Sequence, residues 1–249
     1  MNLDEEMRKL ESRGPDRPLP PAKMAKILAA SFDQAASGWA FRIFEDKTFR
    51  TLLGFDSLER IERDRIFNEL VLATITLLML TLDAKDLQTA ELMGEYFALV
   101  RDEIPKAHRE TLRGYGIEKE HLDLWDKLIA MRYEEYTKDK LEARYAAMQV
   151  EAAYKTDGSL DRDDMQNITL IVPVQTVAIG AHHHICRGKT EGKDELFLCL
   201  LRHLQRFYLE MRIPMDGGHI TPLMRLRAGI RHAWRRISDF SEKSGLRRT

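Results

Sequence analysis

The residues best suited to chemistry in this 249-residue chain form two spaced pairs, His182-x3-Cys186 and Cys199-x3-His203. A separation of four puts both members of a pair on one helix face. The pairs flank a polar turn, Gly188 to Lys193, so the segments that carry them read as a helical hairpin over 174–212. Imidazole nitrogen and thiolate sulfur are ligands for zinc or iron, and four of them can close a tetrahedral site. A hairpin centred near Thr190 pairs Cys199 with Ala181 or His182, so a slip of about one turn is needed to gather all four. The competing reading makes both cysteines small buried hydrophobes and gives both histidines ordinary polar partners.

Other constellations are weaker. In His182-His183-His184, successive side chains point about 100° apart on a helix, so one ion cannot collect all three. Such a run suits a helix C-terminus, where the dipole favours imidazolium. Glu118-x-x-His121 supplies one half of a di-iron carboxylate motif, and no second Glu-x-x-His accompanies it. The acids at Asp161, Asp163 and Asp164 resemble a diphosphate–magnesium cluster, but they precede a helix and read as its cap. Glu134, Glu135 and Asp139 alternate with Lys138 and Lys140, as a solvated face does. There is no Gly-x-Ser-x-Gly, phosphate-binding loop or dinucleotide fingerprint. A catalytic reading therefore requires His121, Glu134, Glu135 or Asp139 to converge on a pocket, and the motifs alone decide neither for nor against an enzyme.

Charge points to a partner. Residues 219–249 hold eight Arg or Lys and two acids, so they carry +6 and leave −7 on residues 1–218. Arg227, Arg231 and Arg235 recur every four residues, with Arg236 beside them. Leu226, Ile230, Trp234 and Ile237 take the other side. Guanidinium pairs carboxylate and phosphate in a two-pronged geometry, so this basic helix suits an anionic macromolecule or an acidic protein surface. The competing reading docks it on the acidic remainder of the chain. The leading expectation is a non-enzymatic binding or adaptor protein that uses this helix. A zinc or iron protein built on His182, Cys186, Cys199 and His203 stands second.

The elements that must position these residues are helices. Pro and Gly are sparse, 8 and 14 residues, too few for the turns of an all-β fold. The expected architecture is an all-α bundle of about seven or eight helices, with 1–20 a flexible Pro-rich leader and 21–249 a single domain. Gly38 should end the first helix, Asp56 and Glu59 have capping-box spacing, and Pro105 should end or kink a later helix. Leu70 to Leu82 is apolar on every side, which places it at the centre of the bundle. That run and Ile168 to Ala181 fall short of the roughly 18–20 residues of a spanning helix, so no integral membrane segment is expected. Ile168 to Val172 is β-branched and precedes Pro173, which suggests a short extended piece there. Two cysteines and an acidic N-terminus without an apolar stretch suit a cytoplasmic protein.

Overall fold

The computed structural model describes residues 20–84, 87, 94–153, 159–189 and 194–215. Among them are seven α-helices, one 3-10 turn (Phe55–Ser57) and no strand. The helices are α1 (Pro21–Phe44), α2 (Lys47–Leu52), α3 (Arg60–Leu82), α4 (Gly94–Gly114), α5 (Lys119–Ala153), α6 (Arg162–Ile185) and α7 (Glu195–Met215). The chain is thus an all-α multi-helix bundle. Its contacts divide it into two units, Met1–Tyr208 and Leu209–Thr249, and the first holds α1 to α6 and most of α7.

The centre is α3. Every residue from Leu70 to Leu82 is buried, and α1, α4, α5 and α6 all pack against this helix. Its buried threonines cost no unpaired hydroxyl: Thr74, Thr76 and Thr81 each donate to the carbonyl four residues back, at 3.1, 2.6 and 2.7 Å. Among the described residues α3 is the one helix long and apolar enough to cross a membrane, and 78% of its apolar window is buried inside the protein.

Around α3, α1 presents a face of small residues. Ala25, Ala29, Asp33, Ala36 and Ala40 follow at intervals of three and four and are fully buried. Short side chains let α1 approach α3 and α4 closely. On α5 the buried positions among the described side chains are Leu122, Ile129 and Tyr136, one every seven residues, so that part of this 35-residue helix touches the bundle along a narrow seam.

Four local expectations are corrected. The chain does not extend at 168–172: α6 runs unbroken through Pro173. Ile168, Val172, Val174, Val177, Ala178, Ala181 and Ile185 are buried along it at helical spacing, and burial of that stripe outweighs the weak β preference of its residues. Pro105 likewise sits inside α4 and does not end it. Gly38 lies within α1, which continues to Phe44. Glu59 stands at the N-cap of α3 and makes no side-chain capping bond, and Asp56 belongs to the 3-10 turn. Capping succeeds elsewhere. Asp161 and Asp164 accept from each other's backbone N–H at 2.8 and 2.9 Å, which starts α6. Asp194 accepts from Phe197 N–H at 2.8 Å and starts α7.

The end of α6 is fastened to the start of α3. Arg65 donates to the carbonyls of His184 and Ile185 at 2.9 and 2.7 Å, in the last turn of the helix, where carbonyls lack the usual helical partners. The same arginine pairs with Glu62 at 2.6 Å, and Arg187 also reaches Glu62. Arg187 occupies the left-handed C-cap position with φ 53°, a conformation usually left to glycine.

Candidate functional site

A cavity of about 520 Å³ lies between α1, α3, α4 and α5. Its wall is mainly apolar: Phe67 and Val71 from α3, Leu112 from α4, and Leu124, Trp125 and Leu128 from α5, with Tyr115 and Ile117 from the turn between α4 and α5. The polar contributions are Ser37, Asn68, His108, Thr111 and His121. A concave apolar site with a few convergent polar groups is what small-molecule binding requires.

His108 is the unusual member. It is 3% exposed, and its Nδ1 lies 2.8 Å from Oδ1 of the fully buried Asp33 on α1. A carboxylate only accepts, so Nδ1 carries the proton and the tautomer is set by Asp33. The second carboxylate oxygen of Asp33 accepts from the Thr111 hydroxyl at 2.8 Å. Trp125 packs edge-on against the imidazole, with ring centroids 5.0 Å apart. The other ring nitrogen, Nε2, is buried and has no hydrogen-bond partner among the described residues. An unsatisfied buried polar atom costs about 1–3 kcal/mol, so the fold carries a penalty here that a ligand could relieve.

The surrounding elements hold this arrangement. Asp33 interrupts the alanine face of α1, the helix that packs against α4. His108 and Thr111 sit one turn apart on α4 and converge on Asp33 together. Arg109, on the next position of α4, bridges Asp123 (2.7 Å) and Asp126 of α5. It thereby fixes the helix that carries Trp125. An orienting carboxylate behind an imidazole is the arrangement by which histidine is prepared for proton transfer or for directed hydrogen bonding.

The four residues expected to bind metal are divided. Cys199 and His203 share a face of α7, as their spacing requires, and their ligand atoms lie within 4.8 Å of each other and of an Asp46 oxygen. His182 turns elsewhere and donates from Nε2 to Asp194 at 3.1 Å, and Phe197 packs beside it. Cys186 joins no cluster of possible ligands among the described residues. The cause is the rotation of α7. Leu200, Leu204 and Phe207 face the core, with Phe207 against Trp39 of α1, which turns Cys199 and His203 toward the head of α2. The three consecutive histidines do not gather at one point, although the His183 and His184 rings lie edge to face with centroids 5.6 Å apart. His182 goes to Asp194, His183 is exposed, and His184 meets Glu135 at 2.8 Å.

Of the acids named for a catalytic reading, Glu135 is paired with Arg132 and His184, and neither Glu134 nor Asp139 reaches the cavity wall. His121 does line it. Arg227, Arg231, Arg235 and Arg236 lie outside the described residues. The pair Asp33 and His108 was missed by motif reading because the partners are 75 residues apart. One signal was present: a lone acid inside an otherwise small apolar helix face. Comparison of the chain with protein-family models, with curated proteins and with solved structures finds no match in any of the three.

Proposed function

We propose that this chain binds a small, largely apolar molecule in the cavity between α1, α3, α4 and α5, with His108 as its polar anchor. The observation that carries this reading is an imidazole oriented by a buried carboxylate, on the wall of an apolar cavity, with one nitrogen that has no partner among the described residues. Nε2 is closed to solvent in the described arrangement, so the ligand reaches it as the side chains around the imidazole, Trp125 first among them, shift aside. The ligand then supplies the missing hydrogen bond and its apolar body replaces water along the wall.

A matched pair of probes tests this. The full chain should bind 1-naphthol about tenfold more tightly than naphthalene, the worth of one hydrogen bond. The double variant Asp33→Ala/His108→Phe removes anchor and orienting acid together, leaves no unpaired charge, and should abolish that difference. Leu128→Trp, which fills the cavity, should weaken both probes. Equal affinity for the two probes in the native chain, or a difference that survives in the double variant, overturns the reading.

A second reading rests on a different observation, the +6 carried by residues 219–249 against −7 on the rest. In it the arginines at 227, 231, 235 and 236 grip an anionic partner, and the chain acts as an adaptor. Binding should fall steeply with salt and be lost on changing Arg227, Arg231 and Arg235 to Glu. A truncation at Gly218 that retains every partner removes it.

A further inference from the structure

The cluster at the head of α2 is independent of the cavity. We propose that Asp46, Cys199 and His203 form a three-ligand site for a divalent zinc ion, with a fourth position left to water.

The donor atoms come from two elements. Asp46 stands at the junction of α1 and α2, and Cys199 and His203 lie one turn apart on α7. All three ligand atoms are within 4.8 Å of one another, and His203 Nε2 is 3.6 Å from Asp46 Oδ2. That separation is too long for a hydrogen bond. It matches the distance of about 3.4 Å that a tetrahedral zinc sets between nitrogen and oxygen ligands held at about 2.0–2.1 Å. The sulfur ligand needs about 3.6 Å to each partner, so closure from the present spacing requires movements of about 1 Å or less.

The aspartate is already oriented. Its Oδ1 accepts from Phe49 N–H at 2.9 Å as the cap of α2, which turns Oδ2 toward His203. A ligating carboxylate fixed by a backbone donor is the usual outer support of a metal site. Burial is graded across the cluster. Cys199 is 2% exposed, while Asp46 and His203 are partly open, so the sulfur side is closed and the carboxylate–imidazole side admits solvent. Three protein ligands with one accessible position is the pattern of zinc sites that bind water or substrate, whereas purely structural sites take four protein ligands. Carboxylate and thiolate together cancel the charge of the ion. Binding transfers the Cys199 proton to solvent as the zinc–sulfur bond forms, and no electrons move. Arg202 and Arg206 approach His203 from the same helix and are the opposing charges that the site must accommodate.

Cobalt(II) is the probe, because a thiolate ligand gives it a charge-transfer absorption that oxygen and nitrogen ligands do not. Titration of the untagged, reduced full chain with cobalt should produce this band at one ion per chain, and zinc should remove it. Cys199→Ser should lose the band, and His203→Gln should weaken binding at least tenfold. Asp46→Asn keeps a side chain able to cap α2, so its fold is preserved, and it should also weaken binding at least tenfold. Cys186→Ser should change nothing. The proposal is overturned if the native chain gives no band, if Cys199→Ser retains it, or if the band needs Cys186 and not Asp46, which would assign the ion to the His182/Cys186 pair.

Discussion

A buried carboxylate and a buried imidazole 2.8 Å apart are each tolerable only because of the other. Removing one member of such a pair leaves the other uncompensated at a cost of about 3–5 kcal/mol, whereas replacing both with apolar groups is often near neutral. His108→Phe alone should therefore lower the unfolding free energy by about 3 kcal/mol. Asp33→Ala/His108→Phe should lower it by much less, because Thr111 keeps a second acceptor in the Ala107 carbonyl at 3.1 Å. Urea denaturation of the native chain, both single variants and the double variant gives the coupling directly. Additive losses would mean that the two side chains do not depend on each other. The Cys199 thiol is a quieter residue. Burial, with the Asp46 charge adding to it, pushes its pKa up, so without a metal it should react slowly with thiol reagents near neutral pH.

At the scale of the helix, two glycines make opposite predictions. Gly38 is exposed within α1 and nothing lies within 4 Å of the Cβ it lacks. Gly38→Ala should raise stability by about 0.5–1 kcal/mol, read as a higher Tm. Gly180 on α6 is the reverse case, since a Cβ there would land on the ring of Tyr136, which is 1% exposed on α5. Gly180→Ala should cost about 1–3 kcal/mol through overpacking. The α3–α6 fastening adds a dependence on pH. The hydrogen bond from Arg65 holds the Glu62 pKa below its ordinary 4.5; burial opposes this, and Arg187 supports it. A group with a lowered folded pKa contributes stability that is fully present above pH 4.5 and is lost as pH falls through the lower value. The stability curve of Glu62→Gln should accordingly be flatter across that acid window than the native one. Parallel curves would show that Glu62 plays no part in acid unfolding.

For the whole molecule, what can be read locally is separated from what depends on distant contacts. The uninterrupted apolar run Leu70 to Leu82 announced the central helix, and the acids at 161 and 164 announced a helix start. These features need only neighbours in the chain. Pro105 and Pro173 were misleading because the packing of a whole helix face outweighs a local break of about 3 kcal/mol. The Cys199 and His203 spacing was legible, but their third neighbour was not. Asp46 is more than 150 residues away, and which way α7 rotates is decided by Leu200, Leu204 and Phe207 seeking the core. Asp33 and His108 were hidden for the same reason, although an acid among alanines on one helix face marks where such a partner must arrive.

The seven-residue seam of α5 has a consequence for motion. Among the described side chains its last buried residue is Tyr136, and between Leu141 and Gln149 no residue of the helix is buried. Backbone amides in the first half can exchange with solvent deuterium only when the seam opens, while those beyond Leu141 need only local fraying. One continuous helix should therefore show two exchange regimes, slow before Tyr136 and fast after Leu141, and its far half can unwind without disturbing the cavity at its near end.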